Sequence, residues 1–497
     1  MLMNATKIVN PNKTNLVIII RIQCAFLIAL ILFRFIYEPF TYKPESLIYP
    51  FCCLLCGLTI WSLWSWYLLT KNLFNPYLLF FLSAFLFNGG QALLEVFHLN
   101  EDGIGTWDII FETPPLSSDN ILNTLFLVII SLGTFHLGAL ISLAKFKVKS
   151  SIFNSQKTKF SLNSRYCYIV GWFLLCISLI PAIFVLKNTF LTVMASGYNS
   201  IYLQDSATSF SATPKILADF IIPASLFLLA GSQTRYKGKL ISVTVIVIYA
   251  IVRFFLGERN QAVMPLIALA WLWHNLIRPI PKTFLFSIGS LLIFVIFPLV
   301  AITRNTAGQD RLSINFLLEA FSSIDNPVIA SISEMGGSML TVAYTIQIVP
   351  SERNFQMGAE YFYALLTLVP NIFGKLHPTI ARGIPNHWLT EQLNPYFASV
   401  GGSYGFSFIA EAYLNFGWIG TPIALGVIGF IFTKLTLWAE KYREPAKMAM
   451  VASFLSFFLF YARAESAMVV RPLVWYSLIP YLGVVFLSQS SSKKLTK

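Results

Sequence analysis

Residues 121–144 read ILNTLFLVIISLGTFHLGALISLA and contain no charged side chain. As an α-helix this stretch covers about 36 Å, enough to cross a hydrocarbon core about 30 Å thick. Upstream of it lie comparable apolar runs at Leu16–Ile36, Leu47–Leu69 and Tyr77–Phe97. Downstream come Tyr166–Leu186, Ile216–Gly231, Leu240–Leu256, Ala262–Ile277, Thr283–Thr303, Gly417–Trp438, Met448–Ala462 and Leu473–Ser488. With 56% hydrophobic and 11% charged residues among 497, the chain carries more apolar surface than a soluble fold could hide. The expectation is an all-α polytopic membrane protein of about twelve transmembrane helices.

One connection is far too long for an ordinary loop. It divides the chain into 1–303, with nine spans; 304–416, a large external loop holding short interfacial helices; and 417–497, with three spans and a tail. Lys and Arg in short loops stay on the cytoplasmic side, so both termini are placed there. That choice puts Lys145, Lys147, Lys149, Lys157, Lys159, Arg235, Lys237, Lys239, Arg278, Lys282, Lys441, Arg443 and the tail lysines inside. The acids Glu101, Asp102, Asp108, Glu112 and Asp119 fall in one outer loop. The net charge of +13 then reads as topology and contact with membrane lipids, and nucleic-acid binding is not expected. Arg21 and Arg34 interrupt the first span and no small-residue cleavage site follows, so it reads as a permanent anchor. All six cysteines fall in predicted spans as small apolar residues, and no metal site is expected.

The outer ends of the spans collect Arg253, Arg259, Arg304, Arg311, Arg353, Arg382, Arg463 and Arg471 against few Lys. Guanidinium forks suit phosphate oxygens and keep their charge when partly buried. Arg253, Arg259, Arg304, Arg463 and Arg471 are therefore the candidate diphosphate-binding residues. Pairing of each with a nearby acid or a lipid head group is the alternative. In the polar turn Gly257–Gln261, Glu258 is placed to hold an Arg259 clamp.

Within the long loop, Met357–Val369 has the composition of a helix lying on the membrane surface or packed on the bundle. Residues 385–391 form an aromatic and polar knot containing His387. The glycines at 401, 402 and 405, with Tyr404 as a supporting residue, precede a helix whose first N–H groups would be open to an anion. Glu411 stands one turn into that helix, where burial would suit it to proton transfer.

The run Gly402-Ser-Tyr-Gly-Phe-Ser-Phe-Ile-Ala-Glu-Ala-Tyr-Leu-Asn-Phe-Gly417, with Gly420 beyond it, resembles the stretch after the long loop of the Wzy-type O-antigen and capsule polymerases. The turn at Gly257–Gln261 behind an Arg-bearing span resembles a second such stretch, and the architecture is similar throughout. The resemblance implies a membrane glycosyltransferase of GT-C-like build that uses no cofactor. It would join undecaprenyl-diphosphate-linked oligosaccharide repeat units on the periplasmic face of the bacterial inner membrane, with a chain-length regulator as a candidate partner. Such a transfer needs a base for the acceptor hydroxyl, for which Glu411 and His387 are candidates with Glu465 in reserve, and cations for the departing diphosphate. An O-antigen ligase and a lipid-linked oligosaccharide flippase are the alternatives; a flippase needs no hundred-residue loop.

The charge asymmetry predicts that reporter tags at Ser155 and the C-terminus read as cytoplasmic and tags near Gln309 or Glu352 as periplasmic. A cytoplasmic signal from the long loop would overturn this topology.

Overall fold

The computed structural model describes residues 12–37, 43–100, 103–104, 113–146, 154–198, 200–203, 212–303, 313–322, 326–369 and 378–495. Among these the regular elements are all helical. Apart from the single turn Ser200–Leu203, the first nine are α1 (Lys13–Tyr37), α2 (Glu45–Thr70), α3 (Pro76–Val96), α4 (Ser118–Lys145), α5 (Asn154–Ser196), α6 (Ala212–Ala218), α7 (Ile221–Gly231), α8 (Tyr236–Leu256) and α9 (Arg259–Leu276). Next, α10 (Lys282–Leu291) continues through a π-helical turn into Phe297–Thr303. The long loop holds α11 (Ile314–Ser322), α12 (Pro327–Gly336), α13 (Ser338–Ile348), α14 (Ala359–Leu366), α15 (Pro378–Arg382), α16 (Pro385–Leu393) and α17 (Pro395–Ser399). The chain closes with α18 (Phe408–Tyr442), α19 (Pro445–Phe458), a 3₁₀ turn at Leu459–Arg463, α20 (Ala467–Pro472), a π-helical stretch at Leu473–Leu478 and α21 (Ile479–Leu495).

Eleven of the described helical stretches are long and apolar enough to cross a membrane, which makes this an all-α multi-pass membrane protein. The expected span Ala262–Ile277 is not among them. Its helix, α9, begins Arg-Asn-Gln and carries His274 and Asn275 near its end. The apolar middle, about 12 residues, covers roughly 18 Å and falls short of a hydrocarbon core. Two further boundaries move: the span expected from Gly417 starts at Phe408, and that expected at Tyr166–Leu186 runs from Asn163 to Ser196.

The chain forms two compact units, and the long loop is shared between them. Unit 1 comprises Met1–Ser151, Met335–Ala359 and Phe406–Tyr442; unit 2 comprises Ile152–Glu334, Glu360–Gly405 and Arg443–Lys497.

Unit 1 is organised on the seam between α4 and α18. The two backbones approach so closely that a Cβ on Gly138 would stand 2.0 Å from the carbonyl oxygen of Gly426. One on Gly429 would stand 2.3 Å from that of Phe135. In lipid the hydrophobic effect does not drive helices together, so such close backbone packing, made possible by small residues, supplies the association. Buried polar groups are matched within the unit. His136 is hydrogen-bonded between Ser65, 3.0 Å away, and Tyr77, while Asn75 caps α3 and donates to Glu440 at 3.0 and 3.1 Å.

Gly417 breaks α18 with φ 62° and ψ −158°, a conformation only glycine adopts without strain. The break frees the carbonyls of Leu414 and Asn415. Both accept from the loop, from the N–H groups of Gln356 and Met357, each at 2.9 Å. The loop segment thus completes the helix ladder that the glycine opens.

Unit 2 repeats the device of unit 1 with α5 and α7. A Cβ on Gly171 would lie 2.5 Å from the amide nitrogen of Leu228, and one on Gly231 would lie 2.3 Å from that of Tyr168. Every residue of α7 is buried. On the outside of α5, Phe173 and Ile183 are exposed large hydrophobes, as befits a surface whose solvent is lipid.

The α4–α18 seam predicts that Gly138→Leu loses about 1–3 kcal/mol or more through overpacking against backbone. Gly57→Leu, at a helical glycine with open space around it, serves as control. Thermal denaturation of the purified variants checks the contrast; equal midpoints would show that the seam tolerates separation.

Candidate functional site

The arginines expected to bind diphosphate fall into two groups in unit 2. Arg253 ends α8, is 7% exposed, and forms an ion pair with Glu258. Its guanidinium lies 5.0 Å from the Tyr249 ring centroid, and its Nε is buried with no hydrogen-bond partner among the described residues. Arg259 opens α9 and pairs with Glu334, also donating to the carbonyl of Phe297 at 3.3 Å. The expected pairing of Glu258 with Arg259 is therefore corrected: Glu258 belongs to Arg253. The physical reason is the Gly257 turn, where φ is 93° and the N–H of Glu258 returns to the carbonyl of Arg253 at 2.9 Å. Both guanidinium charges are already compensated by carboxylates, which suits these residues to holding the scaffold.

Arg463 and Arg471 form the second group, together with Glu465, on a stretch that leaves regular α-geometry repeatedly. The 3₁₀ turn Leu459–Arg463 ends at Ala464, whose φ of −147° and ψ of 171° are extended; Ser466 and α20 follow. Pro472 lacks an N–H for the helix ladder, and the chain widens into the π-helical stretch beyond it. Non-α segments of this kind within membrane helices concentrate at functional sites. Gly405, with φ +75°, leaves room for Arg463: a Cβ there would meet the Arg463 Nε at 3.3 Å. Arg471 ends α20, half-buried, and acts electrostatically on the Tyr476 hydroxyl.

Glu465 sits between them at 2% exposure. Burial pushes its carboxyl up to about 7; a hydrogen bond from its own backbone opposes that rise, and the Glu360 carboxylate adds to it. Glu360 lies in the first turn of α14, 5% exposed, and accepts from Arg382 Nη2 at 3.0 Å and Nε at 3.3 Å. Tyr363 covers the Arg382 guanidinium at 4.5 Å. Another tie joins loop and bundle within unit 2: Trp475 Nε1 donates to the carbonyl of Leu368 at 3.1 Å. The helix expected within Met357–Val369 is thus present as α14, with Glu360 and Ala364 buried and Phe362 and Leu365 exposed.

The other candidates are placed differently. Glu411 is 1% exposed in the first turn of α18 and belongs to unit 1. Asn415 donates to its backbone carbonyl at 2.8 Å. The helix start expected to await an anion is capped from within: Ser407 Oγ accepts from the N–H of Ile409 at 3.1 Å and donates to Asn88 at 2.6 Å. His387 is exposed on α16. Tyr404 packs its ring on Phe397, with centroids 5.1 Å apart, and donates its N–H to Thr390 at 3.3 Å. Arg304 lies outside the described residues, as does Arg311.

Sequence reasoning missed Glu360, Glu334 and Asp219. Asp219 sits at the break between α6 and α7, where the Tyr476 hydroxyl donates to it at 3.4 Å and to the carbonyl of Ile216 at 3.2 Å. Its signal was a lone acid inside the apolar run Ile216–Gly231. Glu360, likewise, is the one acid of an aromatic helix.

No group of three or more His, Cys, Asp or Glu side chains among the described residues could hold a metal ion. No curated protein and no solved structure matches the chain. The sequence profile of the family described as O-antigen polysaccharide polymerase Wzy, by contrast, matches residues 19–495, nearly the whole length. By that match, and with a helical multi-pass fold, the chain belongs to the O-antigen polysaccharide polymerase Wzy family.

Proposed function

We propose that this polymerase transfers a growing glycan from its lipid diphosphate to the terminal hydroxyl of a second lipid-linked repeat unit, at the periplasmic face of a bacterial inner membrane. Ionised Glu465 takes the hydroxyl proton as the acceptor oxygen bonds to the donor's anomeric carbon. The bond from that carbon to the diphosphate breaks, and the lipid diphosphate leaves with the electron pair. Arg471, assisted by Arg463, stabilises the developing charge. Arg253 and Arg259, held by Glu258 and Glu334, keep the ends of α8 and α9 in place.

One observation carries the assignment: Glu465 is an almost fully buried carboxylic acid that lies in the chain between Arg463, at the end of a 3₁₀ turn, and Arg471, in the last turn of α20. Its carboxyl, raised to about 7, is matched to a base working near neutrality. Glu465 stands ahead of exposed His387 because it is shielded from water. Undecaprenyl-diphosphate-linked oligosaccharide is the substrate in this reading, both termini are cytoplasmic, and a chain-length regulator is the partner to seek.

Deleting the protein is expected to leave single repeat units on the final acceptor and abolish the long glycan ladder. Loss of even the one-unit product would favour a ligase or flippase. Glu465→Gln should lower elongation about 10²-fold or more at equal abundance. Since the base must be ionised, wild-type elongation should fall as pH drops through about 7. Arg471→Lys should lose most activity although its charge is kept, because a planar fork becomes a point donor. A normal ladder from both variants in quantitative gel analysis would remove this segment from the chemistry.

A further inference from the structure

The α4–α18 seam of unit 1 ends where positive charge gathers. A Cβ on Gly138 would stand 3.0 Å from the amide nitrogen of Phe430, so the seam fixes Phe430 against α4. Two turns further along the same face α4 ends in Lys145, and one turn beyond Phe430 α18 carries Lys434. Helical side chains lean toward the N-terminus of their own helix, which brings both ammonium groups back to one ring. Lys145 Nζ lies 5.4 Å and Lys434 Nζ 5.9 Å from the Phe430 centroid. Next to Lys145 in the chain, the Phe146 ring holds Lys441 Nζ at 5.3 Å.

The adjoining sequence supplies no counter-charge. No Asp or Glu occurs between Lys145 and Arg165, or between Trp418 and Ala439. Glu440, the next acid on α18, accepts from Asn75 Nδ2 with both of its oxygens, at 3.0 and 3.1 Å. Lys145 and Lys434 are exposed, and neither forms an ion pair among the described residues. Two ammonium groups held at one ring repel each other, and an anion shared by both relieves that repulsion. The same helix offers an apolar track to this point: Ile419, Ile423, Val427 and Ile431, all exposed, recur every four residues and form one ridge of α18.

We propose that Lys145 and Lys434, gathered at Phe430, bind the phosphate of an anionic membrane phospholipid whose acyl chain lies along the α18 ridge from Ile431 toward Ile419. Lysine chemistry selects this ligand. An ammonium is a hydrated point charge that suits a singly charged phosphodiester at the lipid surface, whereas planar, bidentate recognition of a diphosphate favours Arg. Neither α4 nor α18 contains an arginine. The site lies wholly in unit 1, and none of its residues enters the transfer chemistry. A lipid bound there would hold together the two helix ends that the glycine seam brings into contact.

The test measures binding of phosphatidylglycerol to the purified full-length protein in detergent by native mass spectrometry. Phosphatidylcholine with the same acyl chains and inorganic phosphate are the other two arms. The wild type should bind phosphatidylglycerol about tenfold tighter than phosphatidylcholine, and equimolar inorganic phosphate should not displace it. The double variant Lys145→Gln, Lys434→Gln should lose most of that preference, about tenfold in affinity. Lys71→Gln, which removes a lysine held alone over Tyr67 at 5.5 Å, should keep it. Should the double variant not fold, the two single variants carry the test, each losing about threefold. A preference that survives loss of both lysines, or falls equally in Lys71→Gln, overturns the site. Equal binding of phosphatidylcholine, or displacement by inorganic phosphate, overturns the anionic lipid as its ligand.

Discussion

Contact of backbone against backbone is the constraint on which both units rest. A membrane removes the hydrophobic driving force between helices, so helices must be held by dense packing and matched polar groups. At Gly138 and Gly426, and again at Gly171 and Gly231, the chain reaches that density by having no side chain at all. The polar groups of unit 1 then close on one another across the packed helices: Ser65 and Tyr77 on His136, and Asn75 on Glu440. The α4–α18 seam also fixes the start of α18, and with it the buried place of Glu411.

Unit 2 uses the same economy to make an irregular segment possible. Residues 459–478 abandon α-geometry more than once, and each departure exposes backbone groups that water cannot reach in a membrane. Neighbours restore part of the missing order: Ser453 donates to the carbonyl of Tyr476 at 2.7 Å, and Phe220 and Phe457 pack on that ring. This packed surround holds an irregular strip that carries a buried carboxylic acid and two arginines close in sequence.

Most of the fold could be read from apolar run lengths, because bilayer thickness imposes a length that few soluble helices need. The structure departs from that reading at Ala262–Ile277, where a polar start and a polar end shorten the usable stretch, while Gly417, expected to open a span, is the break within α18. The candidate site was legible by residue type but not by partner. Arginines near the ends of apolar runs were visible; that Arg253 takes Glu258 while Arg259 takes Glu334, 75 positions away, depends on tertiary packing. Glu465 was held in reserve because two residues of separation from Arg463 say nothing of burial. Glu360 was invisible for the same reason, since nothing in its own helix announces Arg382, 22 positions on, as its partner.

The two glycine seams differ in when they can exist. The partners of the unit 2 seam, Gly171 and Leu228, leave the ribosome within about 60 residues of one another, so α5 meets α7 almost as soon as both are inserted. Gly138 waits for Gly426, almost three hundred residues later, which at roughly 5–20 residues per second is roughly 15–60 s of synthesis. Throughout that interval α4 lies in the bilayer with its future contact face turned to lipid or to whatever insertion factor shelters it. The biogenesis of this protein is therefore paced by its first third waiting for its last quarter, and truncation anywhere before Phe408 strands α4 without the helix it was shaped to meet.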